Sequence, residues 1–156
     1  MVIIISYLKE CIEMEIQKKF KYSFSDDINE ICRLESIVHS MGKEWSIDEK
    51  IQFSINLVLE ELISNIIFYG FKNKKSQNII NIEATNNGRE IVLIISDNAI
   101  EFNILEHEAK VVSSKNIEEQ EVGGLGIHFI KNLTSFIKYN RNSGFNYLTL
   151  SFILKP

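Results

Sequence analysis

The stretch Val58-Leu-Glu-Glu-Leu-Ile-Ser-Asn-Ile-Ile-Phe-Tyr-Gly-Phe71 decides how the rest of the chain is read. It forms the second half of a long amphipathic helix. Ile51, Ile55, Val58, Leu62, Ile66 and Tyr69 recur at helical spacing and make one apolar stripe. At about 100° per residue, Glu61 and Asn65 fall on the shoulder of that stripe, one above the other. Glu60, Asn56 and Ser64 point further round, into the polar face, so Glu60 reads as solvated. Polar groups at the edge of a core need partners. Glu61 and Asn65 are either a hydrogen-bonded pair at a helix boundary or part of a site, and this helix alone leaves the two readings level.

Outward from this helix, the composition sets bounds. The chain has 156 residues, 45% hydrophobic and 24% charged, which suits one domain with a real core. A formal net charge of −4 provides no basic field for nucleic acid. The cluster Lys18-Lys19-Phe20-Lys21 reads as a solvated strand edge. Cys11 and Cys32 lack metal-ligand spacing and read as reduced thiols, which points to the cytoplasm. The start, Met1 to Glu10, lacks the marks of a signal peptide. No run is expected to approach the ~20 apolar residues of a membrane helix. The single proline, Pro156, is terminal, so residues 1–156 read as one domain.

Residues 1–14 read either as an N-terminal extension or as a strand. Residues 15–24 carry β-branched and aromatic residues and predict a strand. Ser25-Asp26-Asp27 opens a helix with the stripe Ile28, Ile31, Leu34, Val38 and Met41, and Gly42 suits the C′ position that ends it. Ser46-Ile-Asp-Glu49 has the capping-box pattern and opens the long helix, which Gly70 closes. Period two follows: residues 78–85 and 90–97 read as strands joined through Asn86-Asn87-Gly88. Ile91 to Ile95 is apolar on both faces, which predicts a central strand. Residues 103–122 are polar and aperiodic, the mark of a lid or binding loop. Gly123-Gly124-Leu125-Gly126 leads into a helix with Ile127, Ile130 and Leu133. Residues 136–141 and 145–154 make a last hairpin around Asn142-Ser143-Gly144. The order predicts an α+β fold, a two-layer sandwich of a mostly antiparallel sheet with helices on one face.

Three features then stand in order: Glu61-x-x-x-Asn65 on a helix, Asp97 ending a buried strand, and glycines leading into a helix. An asparagine oxygen can ligate Mg²⁺, which protein groups hold together with phosphates and water. A carboxylate at a strand end can accept the exocyclic amine of adenine. Glycines before a helix let backbone N–H groups meet phosphate. Glu61 can take a proton from an attacking hydroxyl. Singly, each feature is more often structural: a glycine turn is usually only a turn, and Asp97-Asn98 usually only starts one. Their joint occurrence favours a nucleotide site.

At these residues the sequence resembles the GHKL (Bergerat-fold) ATP-binding superfamily, and within it the stand-alone RsbW-like anti-sigma-factor serine/threonine kinases. Glu61-Leu-Ile-Ser-Asn65-Ile-Ile-Phe-Tyr69-Gly70-Phe71 is similar to the N box, Asp97-Asn98-Ala99-Ile100-Glu101-Phe102-Asn103 to the G1 box, and Gly123-Gly124-Leu125-Gly126-Ile127 to the G2 box. The resemblance spans roughly residues 15–155. It implies a Bergerat ATP-binding fold with residues 103–122 as the ATP lid. It implies ATP and Mg²⁺ as cofactors, with Asn65 as the metal ligand and Asp97 at the adenine amine. Ala99, Phe102, Gly123, Gly124, Leu125 and Gly126 would line the nucleotide, and Glu61 would be the general base. The implied partners are a STAS-domain anti-anti-sigma-like protein and a sigma factor or comparable regulator. A homodimer is left open, and neither nucleic acid nor a membrane is expected. Two departures stand out: Ala99 replaces the usual glycine of the G1 box, and Gly144-Phe145-Asn146 replaces the usual Gly-Thr. The three histidines, His39, His107 and His128, fit no phospho-acceptor motif, which disfavours a sensor histidine kinase.

The expected function is therefore a Mg·ATP-dependent serine/threonine protein kinase that also sequesters a regulator. The rival, from another class, is a binding switch that holds ATP and a partner but transfers no phosphate. Glu61 favours the first and Ala99 the second.

Overall fold

The computed structural model describes residues 18–71, 77–106 and 124–154. The expectations for residues 1–17, for Gly123 and for most of the lid lie outside the described residues. Strand β1 (Lys18–Phe24) comes first, followed by a 3-10 segment, Ile28–Arg33. Helices α1 (Leu34–Trp45) and α2 (Glu49–Asn65) follow, and α2 runs on as a π-helical turn, Ile66–Gly70. Then come β2 (Ile80–Asn86), β3 (Glu90–Asp97), α3 (Gly124–Leu133), β4 (Phe136–Asn142) and β5 (Phe145–Ile153).

The five strands form one sheet in the order β1-β2-β3-β5-β4, every pairing antiparallel. The α+β sandwich is as expected, and β3 is the central strand. Successive residues of a strand face opposite sides, so one set of alternating positions makes the core. Ile80, Ile82 and Ala84 of β2, Ile91, Leu93 and Ile95 of β3, and Leu148, Leu150 and Phe152 of β5 are buried with Leu34, Val38 and Met41 of α1, with Ile55, Val58, Leu59, Leu62 and Ile63 of α2, and with Ile130 of α3. Ile63 is fully buried; removing such a side chain from water stabilises by about 1.5–3 kcal/mol. The other face of β3 is less apolar in use than its sequence: Ile94 is exposed and Val92 half-buried. The two hairpins turn where expected, at Gly88 (φ 84°) and at Ser143 (φ 50°) with Gly144 (φ 82°).

Helix ends depart from the expectations. Gly42 lies inside α1 and does not end it. Its value is the missing side chain: a Cβ there would stand 2.1 Å from Gln52 Cδ, so the glycine lets α2 approach. Ser46, in the left-handed conformation (φ 55°), ends α1. It is therefore no capping-box residue; Asp48 caps α2, its Oδ1 accepting from Lys50 N at 2.8 Å. The first helix also starts later than expected, because Ile28 sits in the 3-10 segment and is exposed. One further expectation is corrected. Glu49–Gly70 spans 22 residues and holds an 18-residue window of mean hydropathy 1.4, long and apolar enough by composition to cross a membrane. Its apolar side is instead packed into the core against the sheet.

Candidate functional site

The site begins at the last turn of α2. Asn65 Nδ2 donates to Glu61 Oε1 at 3.0 Å, the contact that i,i+4 spacing makes available. That bond turns the Asn65 Oδ1 away as a spare acceptor, to which no described residue donates. Glu60 is not simply solvated: it is half-buried and accepts from Asn56 Nδ2 at 2.7 Å. Directly after Asn65 the bonding widens to the π turn Ile66–Gly70. Such single turns recur at functional sites. The wider turn carries Tyr69 off the apolar stripe, and it is exposed, while Phe71 is buried instead.

Two further segments close on this helix end. The first is the start of α3. A Cβ on Gly126 would stand 1.8 Å from Glu61 Oε1, so the Glu61 side chain fills the space that this glycine leaves. Gly124 and Leu125 open the same helix turn. The second is the turn after β3. Ile100 N donates to Gly70 O at 3.2 Å, and a Cβ on Gly70 would stand 2.8 Å from the Ala99 methyl. The Ala99 methyl is thus spent on Gly70, the end of the π turn. Phe102 lies beyond this turn and is exposed. Of the lid, Asn103 to Glu106 are described: Asn103 Oδ1 accepts from Leu105 N at 3.1 Å, and Ile104 is buried.

Asp97 is 5% exposed at the end of β3. Its Oδ1 accepts from Ala99 N at 2.9 Å and from Asn146 Nδ2 at 2.8 Å. No described residue donates to its second oxygen. Burial pushes the Asp97 carboxyl above the ordinary value, while Asn146, the Ala99 N–H and the Arg141 guanidinium pull it back. Asn146, part of the departure from Gly-Thr, thus stands beside Asp97. Tyr139 OH donates to Asn146 Oδ1 at 2.8 Å, and Arg141 Nη1 donates to the same oxygen. Arg141 and Tyr139 were missed in the sequence. The signal was there: with Ile137 they share the core-facing parity of β4, an unusual place for a guanidinium. A recess of about 260 Å³ lies at the other end of α3, among Ile51, Ser54, Asn132 and Phe152, with no titratable side chain in its lining.

Across residues 24–152 the sequence matches the family described as histidine kinase-like ATPase domain. The chain belongs to this family. The domain is 23% identical over 112 residues to the serine/threonine-protein kinase BtrW of Bordetella bronchiseptica, a match covering 72% of this chain and 76% of that protein. Its fold is similar to that of the RsbU and RsbW domains of Rv1364c from Mycobacterium tuberculosis, with TM-score 0.61, 15% identity, and coverage of 89% of this chain and 33% of that one. It is also similar to the Erythrobacter litoralis EL346 blue-light activated histidine kinase, with TM-score 0.51, 11% identity, and coverage of 69% and 32%. The chain spans about a third of the length of these two solved structures. At such identities the structures speak to fold. The resemblance to the GHKL, RsbW-like family is borne out, and membership implies ATP binding and kinase-type activity at the level of the family.

Proposed function

We propose that this histidine kinase-like ATPase domain is a Mg·ATP-dependent serine/threonine protein kinase and an anti-sigma-type regulator, acting in the cytoplasm on a small STAS-like antagonist. The observation that carries the reading is the placement of Glu61, held by Asn65 Nδ2 and packed on Gly126 at the start of α3. A carboxylate there stands beside both the metal-ligand candidate and the glycines. The donor set fits Mg·ATP. Asn65 keeps a free oxygen for the cation, a hard-ligand type suited to Mg²⁺. Asp97, a buried residue, keeps its second oxygen for an amine donor. Bound Mg·ATP would supply the transferable phosphoryl group, and Glu61 would take the proton of the substrate hydroxyl. The glycines and Leu125 at the start of α3, with Ala99 and Phe102 across the site, would border the nucleotide. The BtrW likeness supports serine/threonine transfer.

The test is transfer of labelled phosphate from ATP, with Mg²⁺, to a purified STAS-domain protein. Wild type should label a serine or threonine. A protein that binds ATP and the STAS partner but transfers nothing is the binding switch of the rival reading.

A further inference from the structure

Helices α2 and α3 lie side by side and antiparallel. Glu61 meets Gly126 at the site end. At the opposite end Ile51 and Ser54 share the lining of the recess with Asn132 and Leu133. Between these two places a groove opens on the outer surface of the helical layer. At about 100° per residue, Leu57 leans out of α2 toward α3, and Phe129 leans out of α3 toward α2 at the same level. Leu57 is half-buried. Phe129 is 42% exposed, and Phe53, one turn below Leu57, is 69% exposed. Ile153, also exposed, borders the recess at the foot of the groove. Exposed apolar side chains gathered in this way mark an interaction surface.

The chain carries a segment of matching chemistry. Seventeen residues precede Lys18, and eleven of them are apolar. Ile5, Leu8, Ile12 and Ile16 recur at three- and four-residue spacing, with Lys9, Glu10 and Glu13 between them. That is the anchor spacing of an amphipathic segment laid into a hydrophobic groove. The segment also joins the fold at the right end of the molecule. Lys18 pairs with Asn86, Asn86 with Ile91 and Ile91 with Phe152, so Lys18 shares one row of the sheet with a residue that lines the recess. Three strand spacings separate the two, about 14 Å. The Lys18 side chain turns toward the helical layer, its Nζ donating to Glu44 O at 3.1 Å. Even at the 1.5 Å per residue of a helix, a segment of that length reaches about 25 Å, enough to cross from Lys18 to the groove.

We propose that the groove between α2 and α3 is the seat of this chain's own N-terminal segment, residues 1–16, whose apolar side chains cover Phe53, Leu57 and Phe129. The tether at Lys18 favours this occupant over a second copy, because a short linker holds its cargo at an effective concentration on the order of millimolar. Seated there, the segment holds α3 at the end opposite Gly126.

The experiment traps the contact through Cys11, which lies between Leu8 and Ile12. In the full chain with Cys32→Ser, Cys11 is the one remaining thiol. Ser54→Cys then puts a second thiol in the wall of the recess, and a disulfide closes only when the two Cα atoms come within about 7 Å. Under oxidised glutathione a disulfide within one chain should form about tenfold faster than it does with Lys138→Cys, a small part of the gain that seating a tethered group brings. Lys138 is exposed on the outer face of the sheet. Leu8→Asp combined with Ile12→Asp should remove the advantage. Asn132→Cys, on the facing wall, carries the test should Ser54→Cys not fold. Equal rates at the recess and at Lys138→Cys overturn the proposal, as does an advantage that survives the double substitution. A disulfide between chains that grows with protein concentration assigns the groove to a second copy and likewise overturns it.

Discussion

The Glu61 carboxylate rests on the backbone of Gly126. A Cβ added at Gly126 would stand 1.8 Å from Glu61 Oε1 and 2.0 Å from its Cδ. The conflict is with the end of a flexible side chain, so Gly126→Ala should fold and displace Glu61. A displacement of this kind is expected to slow phosphoryl transfer on the order of 10²-fold, with the Mg·ATP-induced rise in melting temperature largely kept. Transfer kinetics and thermal melts on the same preparation check this. Normal transfer by Gly126→Ala would show that the contact does not place the base.

Glu61 and Glu60 are neighbours with different partners. Glu61→Gln keeps the shape and removes the basic oxygen, and should lower transfer by ~10²–10⁴-fold while nucleotide binding persists. Glu60→Gln alters only the bond to Asn56 and should transfer at the wild-type rate. Asn65→Ala should lose nucleotide affinity as well as transfer. Single-turnover assays with matched binding measurements distinguish the three.

Ala99 and Gly70 share one space. Gly70→Ala would bring two methyl carbons to 2.8 Å and should push the turn after β3 out of place, weakening ATP binding. Adding Ala99→Gly removes the second methyl and should restore affinity. The quantity to measure is the coupling between the two substitutions in a double-mutant cycle. Additive effects would mean that the two residues do not compete for room.

Asp97 makes stability depend on pH in a definite direction. Its folded-state pKa is raised by burial, so between 3.8 and the raised value the folded chain binds more protons than the unfolded one. Stability from this group therefore falls as pH rises through that window, and above it the cost of the buried charge is present in full. Asp97→Asn should lack this slope, and the difference in unfolding free energy between wild type and variant should shift in favour of wild type on acidification. The same variant should lose most of the thermal shift given by Mg·ATP at neutral pH. Denaturant titrations from pH 7 to pH 4 provide the readout; parallel curves for the two proteins would contradict the raised pKa.

Much of the molecule was written locally. The stripe of Ile55, Val58 and Leu62 and the stacking of Glu61 on Asn65 follow from helical spacing. The hairpins follow from Asn-Asn-Gly and Asn-Ser-Gly between period-two runs. The element order, the α+β class and the family boxes needed nothing more. Where residues had two local uses, tertiary packing chose between them. Gly42 read as a helix stop and serves Gln52 instead, and Ser46 read as an N-cap and ends the previous helix. Tyr69 left the stripe because the ladder widened after Asn65, which no spacing rule announces. The row Arg141–Asn146–Asp97 is the clearest case. Its Asn146–Asp97 bond joins residues 49 apart in sequence, and strand register alone brings them face to face. Sequence by itself determined which side chains belong to helix, strand and glycine turn, because those periods are properties of the local backbone. Only the tertiary structure decided which oxygen of Asp97 is hydrogen-bonded within the protein, because that depends on Ala99 N in the turn after β3 and Asn146 Nδ2 on β5 arriving at the same oxygen.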